Sequence, residues 1–273
     1  MIIVRSCEGF EELAACVRLQ VETWNVDASE VTPRKTFVLA QKIGGQVLGA
    51  FDTEIVGTSE RGGPESLVGF LMALPGVKGA DVDSRPYLHS HMLAVREGYR
   101  NRGLGAELKR QQRVEALGRG IRRIEWTFDP LEIKNAYLNI HKLGAVVRAY
   151  AEDFYGVSSS RLQGGLPTDR LIAEWRLDAP RTRAAIEGLP GASYRMEDRI
   201  VVPSAIYQWK ATEAGREQAL AVQSENRRRF QVAFSQGLAV LGFIRDVNGN
   251  GIFELGRASQ LEPDSDDKDH ANL

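Results

Sequence analysis

The sequence predicts an α/β protein of the α+β type, in which a mixed, mainly antiparallel sheet is flanked by helices on both faces. Three observations lead to this prediction. Short segments of strand-like pattern recur along the chain, apolar residues at helical spacing separate several of them, and glycine- and proline-containing turns divide the segments. With 273 residues, 43% of them hydrophobic and 26% charged, the chain can bury a sizeable core.

Strands and helices alternate through the first 178 residues. Apolar runs and apolar/polar alternation predict strands at 1–5, 46–52, 66–75, 88–95, 121–128, 146–151 and 169–177. Apolar residues at helical spacing predict helices at 10–24, 32–43, 104–118 and 131–143. We therefore expect one domain over residues 1–178.

A boundary is predicted at 178–181, and a C-terminal extension follows it. The extension consists of a strand, a long helix and a hairpin, predicted at 198–203, at 205–237, and at 239–246 with 252–255. Residues 179–257 have too few apolar side chains for a core of their own, so we expect them to pack on the first domain. Residues 258–273 are acidic and almost without apolar residues, which predicts a disordered tail.

The segment Val95–Gly105 is the most informative stretch for function. It reads VREGYRNRGLG and leads from an apolar strand into a helix that begins near Leu104. A strand that turns through glycines into a helix N-terminus brings unpaired backbone N–H groups and the positive end of the helix dipole together. Glycine lets an anion approach the backbone, and Arg100 and Arg102 add permanent positive charge. The segment therefore predicts a diphosphate-binding loop.

The spacing Arg100-x-x-Gly103-x-Gly105 resembles the acyl-CoA signature of the GNAT superfamily of N-acyltransferases. The flanking strands and helices follow in the family's order, and the segment KLGA at 142–145 is similar to a later family element, so the resemblance covers about residues 1–177. It implies a GNAT-like fold that moves an acyl group from acetyl-CoA, or another acyl-CoA, to an amine. The sequence has no P-loop pattern and no dinucleotide fingerprint after a first strand.

The resemblance also implies which residues contact acyl-CoA. In GNAT proteins the strand before the phosphate loop pairs its backbone with pantetheine amides, and the loop amides bind the phosphates. A backbone N–H near Leu93 is then the partner of the thioester carbonyl. The implied contacts are Leu93, Ala94, Val95, Arg100, Asn101, Arg102, Gly103, Leu104, Gly105 and Asn135.

Three side chains are candidates for the proton chemistry of the acceptor amine. His89 and His91 share one face of a predicted strand, where many family members have a glutamate. An imidazole with a pKa of about 6.5 can serve as a base, but either histidine can instead be hydrogen-bonded within the sheet. Asp129 ends the next strand and is fixed by Pro130. Its carboxylate can hold an ammonium group or act as a base.

The residue that would protonate the leaving thiol is where this sequence departs most from the family pattern. The family usually has a tyrosine two residues before the lysine of the Lys-x-Gly element, where this sequence has Ile140. Tyr137, one turn earlier, is the candidate, with Tyr150 and Tyr155 as substitutes. Because thiols have a pKa of about 8.5, a thiolate is a tolerable leaving group, and catalysis without a dedicated acid stays open.

The charge and the cysteine content limit the kinds of partner and the cellular compartment that the sequence predicts. The formal net charge of −1 gives no overall attraction to nucleic acid or anionic membranes. Residues 96–123 hold nine basic and three acidic side chains, but Tyr99 is their one aromatic residue, which favours a CoA-phosphate site over nucleic acid. Two cysteines without a disulfide pattern, and apolar runs well short of 18 residues, predict a cytoplasmic protein with no membrane partner.

No metal site is expected. The segment Asp246-x-Asn248-x-Asn250-Gly251 matches the first half of an EF-hand calcium loop, but Arg257 stands where the bidentate glutamate belongs. A glycine-rich hairpin turn accounts for this segment.

We expect the acceptor to be an amine of a small molecule. The segments 90–92, 126–132 and 165–170 resemble a GNAT subgroup associated with acetylation or succinylation of amino acids. Arg170 can bind a substrate carboxylate or lie at the surface without a role. A non-catalytic acyl-CoA-binding or regulatory module is the alternative function, and a homodimer stays open as the assembly.

Overall fold

The structure is a computed structural model that describes residues 1–55, 59–78, 85–156, 158–160, 163–191 and 193–260. Its strands are β1 (Ile2–Ser6), β2 (Gln46–Asp52), β3 (Leu67–Val77), β4 (Pro86–Val95), β5 (Arg123–Phe128), β6 (Val146–Ala151), β7 (Arg170–Arg176), β8 (Asp198–Val202), β9 (Leu238–Arg245) and β10 (Gly251–Arg257). Its α-helices are α1 (Gly9–Trp24), α2 (Arg34–Lys42), α3 (Leu104–Gly118), α4 (Ile133–Ala136), α5 (Pro180–Glu187), α6 (Ile206–Lys210) and α7 (Arg216–Ser235). A π-helix, Tyr137–Lys142, continues α4 directly.

The strands form one sheet in the order β1-β2-β3-β4-β5-β7-β6-β9-β10-β8. β4 and β5 run parallel, whereas the other neighbouring strands pair antiparallel. The prediction of a mixed, mainly antiparallel sheet is therefore confirmed.

Helices cover both faces of the sheet, as predicted. On one face, Leu13 of α1 and Phe37 of α2 belong to the same buried core as Phe70 of β3. On the other face, Leu108 of α3 shares a core with Leu71, the next residue of β3. Because successive strand residues point to opposite faces, the single strand β3 contributes to both cores.

The C-terminal region extends the same sheet. β9 pairs with β6 through Val240 and Val147, and β10 and β8 follow towards the outer edge. Helix α7 packs here through Phe230, which is fully buried and contacts the rings of Tyr150 and Phe253. Residues 179–257 therefore continue the sheet of residues 1–178 and do not build a separate one.

Two predicted helices differ in the structure. The helix predicted at 205–237 is divided into α6 and α7, because the chain turns back between them so tightly that a Cβ at Gly215 would lie 2.5 Å from the Cα of Trp209. The helix predicted at 131–143 begins at Ile133 and widens into the π-helix from Tyr137 onwards.

The tail predicted to be disordered, 258–273, begins with an ordered turn. Residues Ala258–Gln260 form a short 3-10 helix, and the Ala258 amide donates to the carbonyl of Gly237. The Gln260 side chain also accepts a hydrogen bond from the amide of Arg195. The rest of this segment, 261–273, lies outside the described residues.

We predict that the ion pair between Arg227 and Asp169 is a main attachment of α7 to the sheet. Asp169 is fully buried and accepts hydrogen bonds from Arg227 at 2.9 Å and from the Tyr150 hydroxyl at 2.5 Å. Arg227→Met leaves this carboxylate buried without its cation, so we expect the free energy of unfolding to fall by about 2 to 4 kcal/mol in urea titrations.

The matched control is Arg228→Met on the same helix. The Arg228 guanidinium pairs with Glu225, and both side chains are largely exposed, at 65% and 54%. An exposed pair of this kind contributes little, so the loss should stay below about 0.5 kcal/mol. Equal losses in the two variants would contradict a special role for the buried pair.

Candidate acyl-transfer cleft

β4 and β5 separate from each other partway along their length. Two residue pairs join them, Leu88 with Ile124 and His89 with Glu125. Beyond these pairs β4 stays paired with β3, and β5 stays paired with β7. The edges of β4 and β5 that face each other therefore diverge. The edge of β4 that faces β5 has no strand partner there among the described strands. A cleft of about 370 Å³ lies at this gap. An extended ligand with amide groups can hydrogen-bond to such an edge.

The predicted phosphate loop lies between the end of β4 and the start of α3. Asn101 and Gly103 adopt left-handed φ angles of 61° and 80°, a region that favours glycine. The amides of Arg100 and Glu107 donate to backbone carbonyls, but those of residues 101–106 between them have no hydrogen-bond acceptor among the described residues. Free amides at the N-terminus of a 15-residue helix make a site for an anion.

Both predicted arginines lie at this loop. Arg100 is exposed, and its Nε donates to the carbonyl of Val95 at 3.0 Å, which ties the side chain to the end of β4. Arg102 is also exposed, with its guanidinium 5.4 Å from the ring centre of Tyr99. The Tyr99 hydroxyl donates to Asp52 at 2.7 Å and so anchors the loop to β2. The loop thus adds two accessible positive charges to its free amides.

The other predicted acyl-CoA contacts border the gap. Leu93 lines the cleft, Ala94 is buried, and Val95 packs partly buried against the core. A Cβ at Gly105 would lie 3.6 Å from Leu93 and 3.7 Å from Leu138 of the π-helix. Gly105 therefore faces the space between β4 and the helix that follows β5.

The two histidines occupy different surroundings. A bulge in β4, between the pairs Met72–Met92 and Ala73–Ser90, leaves His91 without a paired residue on β3. His91 is exposed and lines the cleft, whereas His89 is half-buried and is not among the lining residues, although the two ring centres are 6.2 Å apart.

Both imidazoles are kept neutral near pH 7. Desolvation lowers the pKa of His91, even though part of the ring stays accessible. Desolvation also lowers the pKa of His89, and the neighbouring His91 lowers it further. A neutral imidazole at the cleft can accept a proton.

Asp129 lies at the cleft, but its carboxylate is already engaged. One oxygen accepts a hydrogen bond from the Leu131 amide at 2.8 Å, and the other accepts one from Nζ of Lys210 at 2.8 Å. Lys210 also donates to Glu132 at 2.9 Å. Although burial opposes its charge, the two carboxylates raise the pKa of Lys210. The ammonium group expected at Asp129 is therefore one that the chain itself supplies from α6.

Tyr137, the candidate acid, does not reach the cleft. Its ring stacks on His141 with 4.5 Å between the ring centres, and the guanidinium of Arg245 covers it at 4.4 Å. These residues border a separate depression beside the β9–β10 turn. The prediction for Tyr137 is corrected for a physical reason, because the π-helix turns this side chain away and directs Leu138 and Asn139 to the cleft.

Of the other polar candidates, Asn135 and Tyr155 lie at the cleft, whereas Tyr150 does not. Asn135 is exposed and lines the cleft, and the buried Asn139, which was not predicted, lines it too. Tyr155 reaches the cleft, and its hydroxyl lies 2.9 Å from that of Thr127. Tyr150 points elsewhere, to the buried Asp169.

Lys109 of α3 is a functional candidate that sequence reasoning missed. It lines the cleft although it is only 3% exposed. Its Nζ donates to the hydroxyl of Ser90 at 2.8 Å and to Oε1 of Gln112 at 3.2 Å, and lies 3.7 Å from the ring centre of Trp126. Burial lowers the pKa of Lys109 well below its ordinary value. The sequence shows a charged helix here and gives no sign that this residue is buried.

Glu30 joins two segments that line the cleft. Glu30, after α1, accepts hydrogen bonds from the amide of Ser159 at 2.8 Å and from the hydroxyl of Ser158 at 3.0 Å. Arg170 lines the cleft beneath them, donates to Gln163 at 3.3 Å, and forms no ion pair with any acidic side chain that the structure describes.

Within the described residues, no group of three or more His, Cys, Asp or Glu side chains could hold a metal ion. At the EF-hand-like turn the Asp246 carboxylate accepts hydrogen bonds from the amides of Asn248 and Asn250, both at 2.9 Å. Among the described helices, none has both the length and the apolar character that crossing a membrane requires.

The chain is similar to solved structures over about two thirds of its length. A search of curated proteins found no match to the chain. Among solved structures, NAA60 from Arabidopsis thaliana with a bisubstrate analogue has a TM-score of 0.50 and 14% identity, over 64% of this chain and 98% of that chain. YncA from Salmonella typhimurium, solved with acetyl-CoA, has a TM-score of 0.49 and 18% identity, over 65% and 95%. An N-acetyltransferase from Staphylococcus aureus has a TM-score of 0.46 and 15% identity, over 65% and 99%.

At these identities the likeness to NAA60 shows the fold, which is a mixed sheet flanked by helices. The sequence model of the Acetyltransferase (GNAT) family matches residues 13–138, a range that includes β4, the phosphate loop, α3 and β5. The resemblance seen in the sequence is thereby confirmed, and residues 13–138 match a GNAT acetyltransferase domain.

Proposed function

We propose that the protein transfers an acyl group, acetyl or succinyl, from acyl-CoA to the amine of a small molecule. The observation that carries this proposal is the row of free amides at residues 101–106, placed at the mouth of the gap between β4 and β5. Acyl-CoA supplies an activated thioester, and the protein's part is to bind it, orient it and accept a proton from the acceptor.

The residues present fit acyl-CoA. The free amides and the two exposed arginines, Arg100 and Arg102, suit a diphosphate. The edge of β4 from Leu93 to Val95 suits the amides of an extended pantetheine arm, because it faces the gap without a strand partner among the described strands. Gly105 keeps the space between this edge and the π-helix open.

His91 is the proposed base for the acceptor amine. It is the histidine that lines the cleft, the bulge in β4 directs it there, and desolvation lowers its pKa so that the ring is neutral at pH 7. Asp129 is less suited to this role because Lys210 already neutralises its carboxylate.

The acceptor is proposed to be an amino acid. Glu30 ties together two segments that line the cleft, and a cleft of about 370 Å³ suits a small molecule. Arg170 of this lining has no carboxylate partner among the described residues, so its guanidinium is available for the carboxylate of an acceptor.

The test of the function is release of free CoA thiol from acetyl-CoA and succinyl-CoA in the presence of a panel of amino acids and their amides. We expect thiol release with at least one amino acid, and weaker release with its amide because Arg170 then has no carboxylate to bind. Acyl-CoA binding without thiol release for any amine would instead support the alternative, a non-catalytic acyl-CoA-binding module.

We predict that a charged side chain at Gly105 weakens the binding of acyl-CoA. Gly105→Glu places a carboxylate between β4 and the π-helix, next to the amides proposed to hold the diphosphate. We expect the affinity for acyl-CoA, measured by calorimetry, to fall at least ~100-fold, which corresponds to ~2.7 kcal/mol. The fold should tolerate the change, since a Cβ there makes ordinary contacts and a glutamate in the first turn of a helix is favourable.

Gly118→Glu is the matched control for added charge. Gly118 ends the same helix, and a Cβ there meets no described atom within 4 Å. Its affinity for acyl-CoA should equal that of the unaltered protein. If Gly105→Glu also binds acyl-CoA normally, the assignment of the phosphate loop is wrong.

We also predict how kcat/KM depends on pH. Because the proposed base must be neutral, and its pKa is lowered, kcat/KM calculated for the unprotonated acceptor amine should stay level as pH falls from 8 to about 6.5 and decline only below that value. His91→Gln should lower kcat/KM and flatten the decline, whereas His89→Gln should keep it. A decline that survives in His91→Gln would assign the base to another group.

A further inference from the structure

Lys109 has no part in the function proposed above, although it lies inside the cleft. It follows Gly105 by one helical turn, so both residues face the gap from the same side of α3. Gly105 lies near Leu93, and Lys109 lies near Ser90, three residues earlier on β4. Lys109 is therefore one step deeper in the cleft than the edge of β4 proposed to bind pantetheine.

The contacts of Lys109 are those of a charged ammonium group. The amide oxygen of Gln112 and the ring face of Trp126 both attract a positive group, and the Ser90 hydroxyl can accept a third N–H. Three such partners match the three N–H bonds of a protonated lysine, which is the form that can give up a proton.

This ammonium has no neutralising carboxylate within the described residues. Of the nearby acidic groups, Glu125 binds Lys78, and both Asp129 and Glu132 bind Lys210. The titratable groups on the adjoining strand are the imidazoles of His89 and His91, which are neutral, and α4 with its π-helix contributes uncharged asparagines. Burial without a counter-ion lowers the pKa of Lys109 and makes it a stronger acid than an ordinary lysine.

A stronger acid in this place meets a chemical need of the reaction. A thiol has a pKa of about 8.5 and an ordinary lysine about 10.4, so an ordinary lysine protonates a thiolate poorly. A lysine with a lowered pKa is better matched to the thiol. The tyrosine predicted for this task, Tyr137, faces away from the cleft.

We propose that Lys109 is the proton donor to the thiolate that leaves when acyl-CoA is cleaved. The inference rests on the proposed function. As the acceptor nitrogen forms its bond to the acyl carbon, the carbon–sulfur bond breaks and the electron pair stays on sulfur. The sulfur takes a proton from Nζ of Lys109, and His91 takes the proton that the acceptor nitrogen gives up. Solvent then returns one proton to Lys109 and removes one from His91, so free CoA thiol and the acylated amine are the products.

The discriminating experiment varies the leaving group. Lys109→Met and Lys109→Arg are compared with the unaltered protein on acetyl-CoA and on an acetyl aryl thioester, whose thiol needs no proton to leave. With acetyl-CoA we expect both variants to lose ~100-fold or more in kcat, since arginine keeps the charge but does not release a proton. With the aryl thioester the loss should be less than ~3-fold, in line with the dependence of proton transfer on acidity.

Lys134→Met, which removes an exposed lysine of α4, is the control and should change neither reaction. An equal loss in Lys109→Met with both thioesters would overturn the proposal and assign Lys109 to packing or to the acceptor side. No loss with either thioester would overturn it as well, as would full activity in Lys109→Arg.

A measurement without any substrate separates this inference from the proposed function. In protein labelled with 13C at the lysine ε-carbons, the signal absent from Lys109→Met reports the titration of this residue. We expect its midpoint well below the ordinary value of about 10.4. A midpoint at or above that value would overturn the inference even in an active enzyme. A lowered midpoint in a protein that releases no CoA thiol would show that the proposed function has failed while the acidity of Lys109 stands.

Discussion

The early separation of β4 and β5 is the constraint on which the rest of the site depends. Parallel strands exchange hydrogen bonds only where their edges stay together, and these two separate after the pair His89–Glu125. The bulge at His91 follows two residues later, and His91 lines the gap. The amides of the phosphate loop, Lys109 on α3 and Asn139 on the π-helix reach the same space from elements that border it.

Local signals in the sequence were sufficient for the sheet class and for the turn that leads from β4 into α3. Alternation along a strand and glycine at a turn are properties of neighbouring residues, and Gly103 indeed adopts the left-handed conformation that its place before α3 requires. Lys109 and Lys210 were missed because their burial depends on residues that are not their neighbours in the sequence. Each is a charged residue in a polar helix and becomes a cleft or buried residue only when that helix packs on Trp126 or on Asp129, which are distant in the sequence.

The error at Tyr137 has a different origin. Counting residues back from the Lys-x-Gly element assumes 3.6 residues in each turn of the helix, but the chain from Tyr137 to Lys142 is a π-helix with a wider turn. Side chains before and after such a segment are rotated relative to the expected faces. A one-residue irregularity of this kind leaves no mark in apolar periodicity, and yet it decides which side chains face the cleft.

The C-terminal extension takes part in the electrostatics of the site. Lys210 donates to both Asp129 and Glu132 and offsets part of their negative charge, which would otherwise raise the pKa of any base or acid near the cleft. Desolvation is the first cause that acts on both His91 and Lys109, and it lowers both pKa values. The same shift has opposite chemical consequences, because it keeps the imidazole neutral and able to take a proton while it makes the ammonium readier to give one. Residues 179–257 therefore do more than extend the sheet, since they supply a cation to two carboxylates beside the cleft in which we propose one base and one acid.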